Sequence, residues 1–335
     1  MPGIALGNFV TSVTRDKFFP TVVDNVFEGS VLFNRLRGKA RPWTGGARLI
    51  LPTTVSGRTA LGSFSGFDSF DNTQENVRQQ FAISPSEYYA TVTVSGIQKA
   101  LNKGAEAIVD LMAAEFTDVA RELSEAIGED LYLDGTGNND KDIAGLQYHV
   151  DDATTAATYQ NLSRNTYTNL RATRNAQSGA LTLANLAADY DAAQRGSDSP
   201  TVMVTTPAVF TIVEALLTPT YNWNFNQAYP KGVPAGGTAG ISGNAGVNAI
   251  FFRGVPIITD EKCTAANLYT LNENHLFLYE IDADPLFAVG SKEGFSFSGW
   301  KKSINQNAIV GHLLFAGQLV GDSPRTMARR TAITS

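Results

Sequence analysis

The chain has 335 residues, of which 17% are charged and 43% hydrophobic, and its formal net charge is −6. This length exceeds what one small core needs and suggests two domains or one elaborate domain. The acidic balance argues against a dedicated nucleic-acid-binding protein. The single cysteine, Cys263, excludes an internal disulfide framework. Because no apolar run reaches about 18 residues, the sequence predicts no membrane-spanning helix and no membrane partner.

Residues 1–46 carry isolated apolar residues among polar residues and prolines. We expect short helical turns over residues 20–37, ended by Gly38. Such a segment cannot bury its apolar side alone, so we interpret it as an arm that lies on another surface. Its aromatic anchors are Phe9, Phe18, Phe19 and Phe27.

The next segment, residues 47–95, contains three predicted strands at 47–55, 77–83 and 86–95, the last with clear period-two alternation. The first two flank a stretch rich in Gly, Ser and Phe, which predicts a long β-hairpin. An isolated two-stranded ribbon is marginally stable in water. The phenylalanines at its tip would be exposed unless another molecule covers them or the tip folds back onto its own core. They are Phe64, Phe67 and Phe70.

A single long amphipathic helix is predicted over residues 102–133, because apolar residues recur at gaps of three and four. Asn102 is a suitable N-cap, and Gly135 offers a left-handed stop. At roughly 30 residues, the helix would be more than twice the mean length in globular proteins. Its outer face is acidic, and we interpret it as a solvated face or as a surface that pairs with a basic neighbour.

Beyond this helix the pattern is mixed. Residues 161–195 predict two helices broken at 178–179, and residues 201–205 predict a buried strand followed by a helix that starts at Pro207. Further strands are predicted at 249–252, 255–258, 276–281, 295–298 and 309–320. A loop at 218–248 is glycine-rich, with Gly236, Gly237, Gly240, Gly243 and Gly246. The last residues form a basic, mostly polar tail with Arg325, Arg329 and Arg330.

No catalytic constellation is present in the sequence. The glycine-rich loop has no strand before it and no helix after it, so a mobile surface loop is favoured over a nucleotide site. The spacing of Asp140, Asp142, Asp151 and Asp152 does not match a calcium-binding loop. We therefore expect that the protein is not an enzyme and that it binds no cofactor and no metal ion. The aromatic residues of 221–229 either anchor a packed loop or offer a stacking surface for sugars or bases.

The order of these elements resembles the major capsid protein of tailed bacteriophages, whose α+β fold is the Hong Kong 97-like fold. The closest local matches are residues 130–146 after the long helix and residues 305–333 at the end of the chain. The resemblance implies an N-terminal arm at 1–46, an extended β-hairpin loop at 47–95 and a spine helix at 102–133. A peripheral domain would comprise 96–150 and 285–322, and an axial domain 151–284 and 323–335.

The resemblance also implies a function, which is self-assembly into the hexamers and pentamers of an icosahedral shell that encloses double-stranded DNA. Phe64, Phe67 and Phe70 would contact neighbouring subunits, and the glycine-rich loop would lie near the capsomer centre. Arg325, Arg329 and Arg330 would be candidate interface residues. The protein would assemble in the host bacterial cytoplasm and reside in the virion. Expected partners are a portal, a decoration protein and DNA held by weak non-specific contacts.

Two departures from some family members bear on these expectations. The chain has no lysine between Lys39 and Lys99, so we expect no isopeptide cross-link from the extended loop. The arm begins close to Met1, so we expect a separate scaffolding protein. An encapsulin-type nanocompartment shell is an alternative with the same fold. A carbohydrate-binding or hydrolytic surface protein is an alternative of another class.

Overall fold

A computed structural model describes residues 29–101, 111–177, 179–217, 250–281 and 295–334, with the side chains at 100, 101 and 111–113 excepted. The helices are α1 (Val31–Arg37), α2 (Gly96–Leu101), α3 (Leu111–Asp130), α4 (Leu146–His149), α5 (Leu183–Ala193) and α6 (Pro207–Leu217). A further helical turn, Gly137–Asp140, has left-handed backbone angles at Asn138 and Asn139. The first eight strands are β1 (Arg41–Trp43), β2 (Leu49–Thr54), β3 (Arg78–Ile83), β4 (Ser86–Ser95), β5 (Thr158–Tyr159), β6 (Leu162–Ser163), β7 (Thr173–Ala176) and β8 (Val202–Thr205). The others are β9 (Ile250–Phe252), β10 (Val255–Thr259), β11 (Leu268–Leu271), β12 (Leu276–Ile281), β13 (Phe295–Phe297), β14 (Lys301–Lys302), β15 (Ala308–Gly321) and β16 (Ala328–Thr331).

The first sheet is built around the 14-residue strand β15. All of strand β4 pairs antiparallel with β15, from Ser95 opposite Ala308 to Ser86 opposite Gly317. Strands β12, β13 and β14 also pair antiparallel with β15, and β1 joins β12 in parallel. The apolar side of α3 packs on this sheet and buries Leu123 and Ile127 in the same core.

The second sheet has the order β7-β16-β11-β8-β10-β9. Its central pairs combine parallel and antiparallel ladders, with β8 parallel to β10 and antiparallel to β11. Helices α5 and α6 cover it and contribute Leu186, Val209 and Val213 to a separate core. The predicted strand at 201–205 and the helix that starts at Pro207 are both found here.

The long helix is present, and its described part ends at Asp130 rather than at residue 133. The chain leaves the helix through tighter hydrogen bonds from Tyr132 N to Glu129 O and from Leu133 N to Asp130 O, both 3.0 Å. This turn sends Leu131 and Tyr132 into the core, where both are fully buried. Gly135 has φ +80, as the predicted left-handed stop requires, while the proposed N-cap Asn102 lies outside the described residues.

Residues 29–46 differ from the expectation of an arm, because they pack on the body of their own chain. Ser30 caps α1 by accepting a hydrogen bond from Phe33 N. Leu32, Phe33 and Leu36 are buried in the core beneath α3, and β1 extends the first sheet. The predicted helical turn before Gly38 is found, but its apolar face is covered intramolecularly.

One prediction was wrong at the second sheet, and one strand was not predicted. Residues 161–177, predicted to be helical, contain β6, a turn of 3-10 helix at Thr168–Leu170, and β7. The C-terminal residues, described from the sequence as a basic and mostly polar tail, contain β16, which lies between β7 and β11. These strands are short and polar in sequence. Their extended conformation therefore depends on hydrogen bonding to neighbouring strands and not on the intrinsic β-propensity of their residues.

Candidate assembly surface

The extended hairpin is anchored firmly at its root. Strands β2 and β3 pair from Leu49 opposite Ile83 to Thr54 opposite Arg78. Phe81 is fully buried and packs edge-to-face on Tyr159, with 5.5 Å between ring centroids. Asn169 Nδ2 donates to Val55 O at 3.1 Å, and Ala82 N donates to Gln160 O at 3.2 Å. The root is therefore fixed to the body of the molecule by packing and by hydrogen bonds.

The tip of the hairpin, residues 56–76, is ordered by hydrogen bonds of its own. Both carboxylate oxygens of Glu75 accept from Thr59 N at 2.9 Å, and the Thr59 hydroxyl donates to the same carboxylate. Asp71 accepts from Thr73 N and Thr73 Oγ1 at 2.9 and 2.6 Å. Because the hydroxyl hydrogen bonds stabilise the ionised carboxylates, the pKa values of Asp71 and Glu75 lie below their usual range.

This tip presents uncovered aromatic surface. Phe64 and Phe70 are each 64% exposed, and Phe67 is fully exposed. The rings of Phe64 and Phe70 pack edge-to-face with 5.0 Å between centroids. The tip does not fold back onto the core of its own chain, which was the alternative expectation. An apolar cluster of this kind on a soluble surface is typical of an interaction site.

A buried carboxylate joins the end of the long helix to the rest of the body. Asp260 follows β10 and is 2% exposed. Its Oδ2 accepts hydrogen bonds from Ser30 Oγ (2.8 Å), Leu32 N (3.0 Å) and Tyr132 OH (2.9 Å). Burial and the charge of Asp260 together raise the pKa of Tyr132 well above its ordinary value, so its hydroxyl stays protonated as a donor. One side chain thereby connects α1, the end of α3 and the second sheet.

Two of the three tail arginines lie in the interior rather than on a subunit interface. Arg330 is 6% exposed and binds Asp189 through two nitrogens, at 2.5 and 2.7 Å. Arg329 is 2% exposed and lies 3.8 Å from the buried carboxylate of Asp151. Strand β16 carries both side chains inward, which corrects the sequence expectation for them. Arg325 alone of the three is exposed.

Asp151, His149 and Cys263 are titratable residues buried in the body of the molecule. Asp151 is fully buried and its Oδ2 accepts from the backbone nitrogens of Ala153, Thr155 and Ala156, each at 3.0 Å. Burial lowers the pKa of His149 to about 3 and raises the pKa of the Cys263 thiol, which leaves both neutral at pH 7. Across the described ranges, no three side chains of His, Cys, Asp or Glu gather to hold a metal ion. The described helices include none that is long and apolar enough to cross a bilayer.

The remaining predicted site residues lie outside the described part of the chain. These are the arm anchors Phe9, Phe18, Phe19 and Phe27, the axial-loop glycines Gly236, Gly237, Gly240, Gly243 and Gly246, and the aromatic residues of 221–229.

Comparison with known proteins identifies the fold. No protein-family model and no curated protein matches the sequence. Among solved structures, the cyanophage A-1(L) capsid protein matches with a TM-score of 0.72 and 18% identity, covering 98% of this chain and 100% of that one. The capsid of the empty GTA particle matches with a TM-score of 0.64 and 12% identity, over 100% of both chains. The SrpI encapsulin of Synechococcus elongatus matches with a TM-score of 0.61 and 12% identity, over 98% of this chain and 96% of that one. The predicted α+β fold of the Hong Kong 97 type is thus confirmed over nearly the whole chain.

Proposed function

We propose that the chain is the major capsid protein of a tailed bacteriophage, a structural shell subunit rather than an enzyme. The observation that carries this proposal is the hairpin tip, which has hydrogen bonds of its own and whose aromatic cluster is left uncovered by its own chain. On a fold shared with capsid proteins, such a tip is best explained as a contact made only after assembly.

In this proposal the subunits form hexamers and pentamers of an icosahedral shell around double-stranded DNA. The extended loop (47–95) reaches an adjacent subunit with its tip, residues 56–76, while its root stays packed on its own chain. The arm before α1 lies on a neighbouring subunit as well. The peripheral domain is 96–150 with 285–322, and the axial domain is 151–284 with 323–335, its glycine-rich loop near the capsomer centre. Burial of a phenylalanine side chain contributes about 1.5–3 kcal/mol, so the three tip residues give each copy a substantial driving force for association.

The virion is the proposed location, after assembly in the bacterial cytoplasm. Proposed partners are a separate scaffolding protein, a portal, a decoration protein and the packaged DNA, which a net charge of −6 restricts to weak and non-specific contact.

The second candidate function is the shell of an encapsulin-type nanocompartment, because the encapsulin structure shares the fold at a TM-score of 0.61. The two functions differ in what the particle encloses. A carbohydrate-binding or hydrolytic role would depend on residues 221–229, which lie outside the described part of the chain.

Electron microscopy of the expressed chain, with and without the neighbouring reading frames of its genome, tests the proposal. We expect hollow particles of regular size, and we expect nuclease-protected double-stranded DNA in particles recovered from infected cells. Particles that enclose a folded enzyme instead of DNA would favour the nanocompartment. A chain that stays monomeric under every condition, including co-expression, would refute the shell function altogether.

A further inference from the structure

A buried group of charged side chains lies where strand β16 meets β7. Arg329 on β16 stands directly opposite Arg174 on β7 in the parallel pair. Like charges at opposite positions of adjacent strands repel each other and destabilise the pair. The counter-charge is Asp151, which is fully buried and whose Oδ1 lies 3.8 Å from Arg329 Nη2 and 4.0 Å from Arg174 Nη1. Both arginines therefore point to one carboxylate oxygen.

The two oxygens of this carboxylate have different surroundings. Oδ2 accepts three backbone hydrogen bonds, from Ala153, Thr155 and Ala156. Oδ1 has no hydrogen-bond donor among the described residues, and neither does Nε of Arg329, itself 2% exposed, have an acceptor there. The separations of 3.8 and 4.0 Å exceed a direct N–H···O bond, which reaches about 3.2 Å. They suit groups that share one bridging water molecule.

The charges around Oδ1 decide which ligand fits. The two guanidinium groups disfavour a cation, and the carboxylate at the same point disfavours an anion. A water molecule can donate to Oδ1 and accept from the guanidinium groups, and a buried water typically makes about three hydrogen bonds to polar groups of this kind. A third nearby arginine, Arg164, needs no such partner, because its nitrogens donate to the backbone carbonyls of Leu170, Ala156, Tyr148 and His149.

We propose that Asp151, Arg329 and Arg174 bind one ordered water molecule, which joins β16 and β7 to the loop at 151–156. The water donates to Oδ1 of Asp151 and accepts from both guanidinium groups. Burial of charged groups without hydrogen-bond partners is costly, and the water supplies the partners that the described side chains do not. This inference concerns a single subunit and does not depend on the proposed shell function.

The site also explains why residue 151 is an aspartate. In an asparagine, the amide oxygen would have to take the place of Oδ2, because the three backbone N–H groups require an acceptor. The amide NH₂ would then face the two arginines, where only donors converge, and the counter-charge would be absent. Asp151 is therefore a positioning residue, since it holds the arginines of two strands through one water.

A crystal structure of the full chain, at a resolution that shows ordered water, tests the site directly. We expect a density peak about 2.7–3.2 Å from Oδ1 of Asp151 and from a nitrogen of each arginine. Crystals grown in bromide distinguish water from a halide ion, because bromide gives an anomalous signal. An anomalous peak at the site would overturn the proposal, and so would direct bonds from the arginines to Oδ1 with no peak between them.

Substitutions test the site in solution. Asp151→Asn should lower the Tm of the unassembled subunit by at least about 5 °C, because removal of one partner from a buried ion pair is strongly destabilising. The matched control is Asp152→Asn. Asp152 is the neighbouring, half-buried carboxyl, and its Oδ1 accepts from Thr154 N at 3.1 Å. An asparagine oxygen can keep this bond, so we expect little change in Tm. Equal losses in the two variants would contradict the proposal.

A double variant separates the electrostatic role of Asp151 from a loss of packing. Arg174 is 27% exposed, and Arg174→Gln removes one of the two charges that face each other. It should therefore restore part of the Tm that Asp151→Asn loses. Arg171→Gln, which changes an arginine that donates to Asn165 instead, should restore nothing. Additive losses from Arg174→Gln and Asp151→Asn would refute the electrostatic role. If Asp151→Asn does not fold, the density in the unchanged chain still decides whether the water is bound.

Discussion

At the residue scale, the side chain that contributes most to joining the elements belongs to no recognisable sequence motif. Asp260 bonds Ser30, which is 230 positions away in the sequence, and Tyr132, which is 128 positions away. A sequence shows which carboxylates exist but not which donors the fold will bring to them. The same reasoning explains the error on Arg329 and Arg330, since a cluster of charges in sequence does not reveal whether the charges are solvated or paired inside.

Asp260→Ala should destabilise the subunit strongly. The change leaves Ser30 Oγ, Leu32 N and Tyr132 OH without an acceptor in a buried region. Each unsatisfied buried donor costs about 1–3 kcal/mol, so the free energy of unfolding should fall by at least about 3 kcal/mol. Urea unfolding of the unassembled subunit measures it.

The matched control is Asp198→Ala. Asp198 is a 51% exposed carboxylate that contacts His275 at 3.3 Å, and exposed pairs contribute at most about 1 kcal/mol. Equal losses in the two variants would contradict the role assigned to the buried carboxylate.

At the element scale, the helices and strands with a clear hydrophobic periodicity were predicted correctly from the sequence. The strands β4 and β15 and the long helix have strong patterns, and all three are present. The hairpin strands β2 and β3 were also predicted, as were β9 and β10, which Arg253 and Gly254 join with φ 50 and 83. Strands β7 and β16 were missed because their residues are polar and their extended state depends on pairing across the sheet. Helix α1 was predicted, but its burial under α3 was not, because an amphipathic segment does not specify which surface covers it.

Replacing Phe64, Phe67 and Phe70 with serine should separate folding from assembly. The rings contact no core residue. The free energy of unfolding of the unassembled subunit, measured by thermal unfolding, should therefore stay within about 1 kcal/mol of that of the unchanged chain. Loss of about 4.5 kcal/mol or more of apolar burial per copy should weaken association by over a thousandfold. Sedimentation velocity and light scattering measure the assembly.

The control for the tip variant is Phe251→Ser, which removes a 60% exposed phenylalanine from β9, away from the tip. It should assemble normally. Particles of regular size and unchanged stability from the triple variant would show that the tip does not contribute to association.

At the scale of the whole molecule, the ordered set of elements was the informative signal. Hairpin, long helix and two sheets follow one another along the described chain, and the fold matches the cyanophage capsid structure at a TM-score of 0.72 although the identity is only 18%. Apolar periodicity and turn residues survive such divergence because they are fixed by packing, whereas the residues of an interface change with their partner. The fold was therefore predictable from the sequence, whereas the pocket at the root of the hairpin was not, because five separate stretches of the chain line it, within residues 84–89, 134–148, 155–158, 298–301 and 312–318.

The whole shell should be held together without covalent bonds between subunits. An isopeptide cross-link from the extended loop needs a lysine there, and none occurs between Lys39 and Lys99. Lys39 itself is engaged, because its Nζ donates to Glu273 at 2.9 Å, and hydrogen bonds from Arg35 and Lys39 outweigh burial to keep the pKa of that carboxyl below its usual range. Shells boiled in denaturant with reductant should run as a single band at 35.9 kDa. A ladder of larger bands that persists in reductant would contradict this, and it would mean that a lysine outside the loop reaches a neighbouring subunit.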